Sequence, residues 1–274
     1  MALAPTVLNP VITGINAVPS FFSAPFVSGY EIFVASSTTF VVAPGGARSS
    51  KSDYVIQFPT IQPNSPAYIT VDISTVGING AYPLAIADVV GGDVMFPVYV
   101  IGDGSGKNAP AVIVATGDNY IPAGYTDARR IGWVFVDGGS LGLYPMFQSG
   151  HGTTRKYSFR QPGLVLSAGS ETTATEVQLL AVPQSAVSVS LLAEYLPAAA
   201  SDYASISLSQ SATAIVEIQN TDVALSKQSI EVALPLTTSI SSIHYFNSAV
   251  GGSLSLAVTG FTDDLSINSI VLLS

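Results

Sequence analysis

Residues 121–160, IPAGYTDARRIGWVFVDGGSLGLYPMFQSGHGTTRKYSFR, alternate between strand-forming residues and turns. Residues 131–136 (IGWVFV) are rich in β-branched and aromatic side chains, which favour strands. Residues 137–140 (DGGS) are predicted to turn, because glycine adopts positive φ angles without steric cost. Residues 141–148 then return, so the stretch predicts a strand, a turn and a second strand.

Short segments of the same kind run along the rest of the chain, separated by Gly, Pro, Ser and Asp. Before the central stretch they are residues 30–42 (two strands or one bent strand), 54–58, 68–73, 94–101 and 111–115, with one helical turn at 85–90. After it they are 176–181, 187–194, 204–208, 214–219, 229–233, 241–246, 252–259 and 266–272. Pro97 suggests that its strand lies at a sheet edge or a bulge. We predict an all-β fold with two β-sandwich or jelly-roll regions and little helix.

Composition and charge change near Pro162-Gly163, which we interpret as a domain boundary. Residues 1–160 carry eight basic and nine acidic groups, a net charge of −1, whereas residues 161–274 carry one basic and nine acidic groups, a net charge of −8. We therefore predict a Pro-rich extended arm at 1–28, a docking β domain at 29–162 and an acidic, projecting β-sandwich at 163–274.

The overall composition excludes several classes of protein. Only 10% of the residues are charged, against about 25% in an ordinary globular chain, so the surface is expected to be covered by partners or solvated by hydroxyl groups. The absence of cysteine excludes disulfides, thiolate catalysis and Cys-based zinc sites. A net charge of −9 argues against nucleic-acid binding, and no apolar run reaches the roughly 18 residues of a membrane span. The first residues lack the basic region of a signal peptide.

Candidate chemical sites are weak throughout. Residues 102–107 (GDGSGK) resemble a phosphate-binding loop, but the glycine spacing is one residue short and no helix follows, so we predict a turn. His151 and His244 lack a second histidine at a metal-ligand spacing and are interpreted as a loop residue and a structural residue. Asp263 and Asp264 are either solvated turn acids or calcium ligands, and the first is favoured. We predict no catalytic residue, cofactor or metal, and no enzymatic activity.

Aromatic and basic residues are the candidates for an interface. The arm phenylalanines pack either on their own domain or across a neighbouring subunit. The adjacent Arg129 and Arg130 form either an intrachain salt bridge to Asp127 or Asp137, or an intersubunit contact, which the planar guanidinium suits. The other basic residues of the stretch belong to a solvated strand face or meet an acidic neighbour. The candidate set is Phe21, Phe22, Phe26, Arg129, Arg130, Trp133, Arg155 and Arg160.

Four motifs follow one another in the first half of the chain. They are residues 43–50 (APGGARSS), residues 69–74 (ITVDIS) with Gly77 and Gly80, residues 99–103 (YVIGD), and residues 122–126 (PAGYT) with 129–132 (RRIG). As a set and in this order they are specific, and over about residues 40–160 the chain resembles a family of tailed-bacteriophage structural proteins. Residues 81–83 (AYP) depart from the acidic continuation that the family shows after Gly80.

The resemblance implies a virion protein, made in the host cytoplasm and assembled into the phage particle. Its most fitting role is a capsid decoration or cement protein, with a homotrimeric form and the major capsid protein or another virion protein as partner. The alternatives are a tail or fibre component that binds a host receptor, and, from a different class, a carbohydrate-binding module with aromatics on an exposed face.

Overall fold

A computed structural model of the chain describes residues 26–50, 54–58, 68–117, 121–150, 152–179, 182–209, 214–219, 228–236 and 242–266. Strands hold 60% of the residues and helix 2%, so the fold is all-β with sandwich-like sheets. This confirms the predicted fold class. Among the described residues, no helix is long and apolar enough to span a membrane.

Twelve strands and one helical turn precede the long central strand β13. They are β1 (Val27–Gly29), β2 (Ile32–Val34), β3 (Thr39–Val42), β4 (Gly45–Arg48), β5 (Val55–Gln57), β6 (Ile69–Val76), β7 (Gly80–Tyr82), α1 (Ile86–Val89), β8 (Val94–Gly102), β9 (Ala111–Ala115), β10 (Asp127–Asp137), β11 (Gly142–Leu143) and β12 (Met146–Ser149). The remaining described strands are β13 (Thr154–Gly169), β14 (Thr175–Gln178), β15 (Ala186–Leu196), β16 (Tyr203–Ser207), β17 (Val216–Gln219), β18 (Gln228–Pro235), β19 (Ser242–Asn247) and β20 (Ser253–Asp264).

One large sheet runs through both halves of the chain. Its thirteen strands follow the order β11-β10-β8-β9-β7-β6-β3-β2-β12-β13-β20-β15-β18. A three-stranded sheet (β1-β4-β5) lies over one part of it and a four-stranded sheet (β14-β19-β16-β17) over another. Along β12, β15 and β20, buried residues alternate with more exposed ones. One face of each strand therefore points inward, as a packed sheet requires.

Two large hydrophobic cores fill the spaces between these layers, and a third, smaller cluster lies on β8, β9 and the start of β10. The two large cores draw on distant parts of the sequence. The first joins the small sheet to β3, β6, β8, β9 and β10, and it also contains Leu265 from the end of the described chain. The second lies mainly between the four-stranded sheet and strands β13, β15, β18 and β20 of the large sheet. It also contains Trp133 and Phe135 from β10. Each large core therefore takes residues from both halves of the sequence.

Most predicted strands appear close to their predicted positions, and the helical turn at Ile86–Val89 is confirmed. Pro97 does not put β8 at an edge, because β8 lies between β10 and β9. The pairing of β8 with β9 begins only at Val98. Pro97 therefore lies just outside this pairing, and its missing N–H costs no hydrogen bond to β9. The predicted boundary at Pro162-Gly163 falls inside β13, which pairs with β20 on both sides of it. The strand predicted at 266–272 lies almost wholly outside the described residues.

Candidate functional site

A buried polar cluster joins β10 to the end of β20, and we call it the polar tie: Arg129, Arg130, Trp133, Ser185 and Asp263. Both arginines are only 2% exposed and Asp263 is fully buried. Arg130 Nη1 lies 2.8 Å from Asp263 Oδ2, which also accepts the indole N–H of Trp133 at 2.9 Å. Ser185 Oγ donates to Asp263 Oδ1 at 2.6 Å. The carboxylate is thereby bound through both oxygens.

Strand β10 is irregular, and it brings both Arg129 and Arg130 into contact with residues 263–265. Adjacent residues on a strand normally point to opposite faces, but the register of β10 against β8 shifts between Arg130 and Gly132, and bulges of this kind redirect side chains. Arg129 donates to the carbonyl of Leu265, and Arg130 Nη2 to that of Asp264 at 3.3 Å. The tie thus fixes the backbone after β20 as well as its side chains.

The electrostatics of the tie are those of a buried ion pair. Burial raises the pKa of Asp263, while the contacts with Arg130, Ser185 and Trp133 oppose that rise. Burial lowers the pKa of Arg129, and the neighbouring charge of Arg130 adds to this effect. The Arg130 guanidinium carbon also lies 4.9 Å from the centre of the Trp133 ring, a cation–π distance. Arg130, Trp133 and Ser185 thus all bind the Asp263 carboxylate, while Arg129 binds the neighbouring Leu265 carbonyl.

A second buried group holds β2, β10, β12 and β13 together around Gln148. Gln148 accepts the Ile32 N–H at 2.6 Å and donates to the Ile131 carbonyl at 3.2 Å and to Tyr157 Oη at 3.1 Å. A Cβ on Gly132 would lie 2.8 Å from Gln148 Nε2, Ile32 Cδ1 and Tyr157 Oη, so the backbone of β10 reaches this close only as glycine.

Arg155 is also buried, with donor bonds to the carbonyls of Gly150 at 2.8 Å and Gly29 at 2.6 Å. Trp133, Arg129, Arg130 and Arg155 therefore lie inside the chain rather than on its surface. Arg160 is exposed and Phe26 is half-buried. Phe21 and Phe22 lie outside the described residues.

The loop that resembles a phosphate-binding motif is a turn built on Asp103, as predicted. The Asp103 carboxylate accepts bonds from the N–H and hydroxyl of Ser105, at 2.9 and 2.7 Å, and from the N–H groups of Lys107 and Asn108. These bonds, those from Ser105 first, lower the pKa of Asp103. The loop's own amide groups bind this internal carboxylate.

The remaining candidates for chemistry that the structure describes are Asp263, Asp264 and His244. Asp263 is not a solvated turn acid, because it is buried in the polar tie, whereas Asp264 accepts the N–H of Ser266 at 2.8 Å in a turn. His244 lies on β19, paired with Glu176 and Ser207 of the neighbouring strands. His151 lies outside the described residues. Across the described ranges, no group of three or more His, Cys, Asp or Glu side chains is placed to hold a metal ion.

The most accessible candidate surface is an open sheet face, which sequence analysis did not identify. Phe33 and Phe147 are direct partners on β2 and β12, and they are 44% and 65% exposed. Their neighbours along the strands, Ile32, Met146 and Gln148, are buried. Neither residues 31–36 (EIFVAS) nor residues 145–149 (PMFQS) alternate strictly between apolar and polar, so no local pattern marks the two phenylalanines as exposed. The pairing of β2 with β12 joins residues too far apart in sequence to predict.

Comparisons with protein-family models and with curated protein sequences find no match to this chain.

Proposed function

We propose that the chain is a non-enzymatic structural protein of a tailed-bacteriophage particle, and that it is a decoration or cement protein that stabilises the head. The motif set at residues 43–132 is the starting point, because its order resembles that of phage structural proteins. The proposed partners are the major capsid protein, or another virion protein, and further copies of the chain in a homotrimer.

The observation that carries this proposal is the internal use of the motif's charged residues. Arg129 and Arg130 lie within the fourth motif, and both bind the segment 263–265 inside the chain. Asp103, at the end of the third motif, closes its own turn. Side chains used in this way make a rigid body, which suits a protein that holds a fixed surface against a particle.

The distribution of charge supports an orientation on the particle. The acidic side chains Glu171, Glu176, Glu217 and Glu231 of the second half are exposed. An acidic outer surface keeps particles apart by repulsion. We propose that the nearly neutral first half docks and the acidic second half projects into solvent.

The test is the copy number of the chain in purified particles, measured by quantitative mass spectrometry against the major capsid protein. A ratio near one to one, or one trimer at each local three-fold position, supports a decoration role. A ratio of a small fraction of the capsid protein contradicts it and assigns the chain to the tail or a fibre. Absence from particles contradicts both roles, and a glycan-binding screen then tests the carbohydrate-binding alternative.

A further inference from the structure

The open face is the outer side of strands β6, β3, β2, β12 and β13, and its centre is apolar. Direct cross-strand pairing places Thr70, Val41, Phe33, Phe147 and Ser158 in one row. Directly paired side chains on one sheet face lie about 5 Å apart. Phe33 and Phe147 thus form one continuous aromatic patch in the middle of a row of smaller side chains.

Charges flank this patch with opposite signs on its two sides. On the β13 side lie Lys156 and Arg160, both exposed. On the β2 side lie Glu31, just before β2, and Asp72 on β6, both half-buried. Asp264 also reaches this face, but on β20 at the level of Thr154, farther from the patch.

The strand registers put these charges at matching levels. Asp72 pairs with Thr39, which lies two residues from Val41 of the central row. On the other side of the patch, Arg160 donates its N–H to the Pro145 carbonyl at 3.0 Å. Pro145 lies two residues from Phe147, so Arg160 is at the same level as Asp72. Lys156 pairs with Ser149, two residues from the row in the opposite direction. Glu31 precedes Phe33 by two residues and lies at that same level.

A two-fold axis that lies above the face, parallel to the strands and midway between β2 and β12, makes this face complementary to itself. Rotation about it lays Phe33 on the partner's Phe147. It also brings Asp72 opposite the partner's Arg160, and Glu31 opposite the partner's Lys156. In each pair the two residues are offset sideways by about one strand spacing, roughly 5 Å. An isologous contact requires such self-complementarity. We propose that two copies of the chain bind each other through the open face.

This contact does not depend on a role in a virion, because it follows from the face alone. A two-fold contact produces a dimer in solution, or joins neighbouring trimers pairwise if the chain is also trimeric. Copy number in particles and binding between purified chains therefore test separate proposals.

The first experiment measures self-association of the full chain by sedimentation equilibrium from micromolar to millimolar concentration. Phe147→Ser and Phe33→Ser remove exposed aromatic area, and each is expected to raise the Kd by roughly thirty-fold or more, as a central interface residue does. Val250→Ser removes a side chain that is 86% exposed at the β19–β20 turn, and it should leave the Kd unchanged. Circular dichroism of all three variants should match the wild type, since the replaced side chains are exposed.

The second experiment tests the geometry through charge reversal. Lys156→Glu places an acid opposite the partner's Glu31, at two equivalent positions in each dimer. It should raise the Kd about ten-fold or more. Adding Glu31→Gln to the same chain removes the like charges at both places and should recover part of the affinity. A neutral side chain is used because Glu31 also interacts with the buried Arg155. The proposal is overturned by a chain that stays monomeric throughout, by association that Phe147→Ser leaves unchanged, or by a double variant weaker than Lys156→Glu alone.

Discussion

At the scale of single residues, the polar tie shows how much depends on one carboxylate. Asp263 accepts bonds from three side chains, and each of them is buried with it. Burying a charge is costly unless it is paired, and the loss of Asp263 removes the carboxylate that pairs with the buried guanidinium of Arg130. The cost of breaking such a pair exceeds what the intact pair contributes.

We expect Asp263→Ala to lower the free energy of unfolding by roughly 3–5 kcal/mol, measured by urea denaturation. Glu231→Ala, which removes an exposed acid on β18, is the control and should change the stability by about 0.5 kcal/mol or less. Arg130→Met combined with Asp263→Leu removes both charges and should regain much of the loss. Equal effects of the two alanine variants would contradict this account of the tie.

We expect Gly132→Ala to destabilise the chain by about 1–3 kcal/mol, because the added methyl group meets three buried side chains at 2.8 Å. Gly163→Ala on β13 is the matched control. A Cβ there has no atom within 4 Å, so the substitution should be neutral or slightly stabilising. Thermal unfolding of both variants measures the difference, and a stable Gly132→Ala chain would show that Gln148 and Tyr157 move aside easily.

At the scale of elements, the Gly102–Asn108 turn depends on the ionised form of Asp103. The hydrogen bonds from Ser105 lower the pKa of this carboxyl below its value in the unfolded chain. A lowered folded-state pKa gives stability that is present above the unfolded value of about 3.9 and lost as the pH falls through the folded value.

Asp103→Ala should therefore lower the melting temperature at neutral pH, and the gap from the wild type should shrink as the pH falls below about 3.9. Melting curves across this range measure the effect. Asp88→Ala, an exposed acid on α1, is the control and should change little at any pH. A gap for Asp103→Ala that is constant with pH would mean that the side chain acts through packing alone.

The elements were largely predictable from sequence, and the site was not. Alternation and turn residues located strands such as β6, β8 and β10, because these signals act over a few positions. The partners of Arg130 and Phe33 lie 133 and 114 residues away along the chain, and no local pattern specifies such pairings. The same limit explains why Asp263 was expected in solvent: its sequence neighbours resemble a turn, whereas its contacts come from β10.

At the scale of the whole molecule, the two halves share one sheet and the two large hydrophobic cores. Trp133, the only tryptophan in the chain, lies in the polar tie between them. We expect one cooperative unfolding transition, in which Trp133 fluorescence and far-UV circular dichroism change at the same denaturant concentration. Two separate transitions, or a stable isolated fragment 163–274, would instead support independent domains.

The distance in sequence between Arg130 and Asp263 also sets a delay during synthesis. The two residues are 133 positions apart, and at 5–20 residues per second a ribosome needs about 7–27 s to make the intervening chain. During that interval Arg130 and Trp133 have already been made, while the carboxylate that neutralises and orders them has not. Nascent chains therefore carry Arg130 and Trp133 without the Asp263 carboxylate until the ribosome has made β20, and over this interval the apolar surface that β20 buries stays exposed.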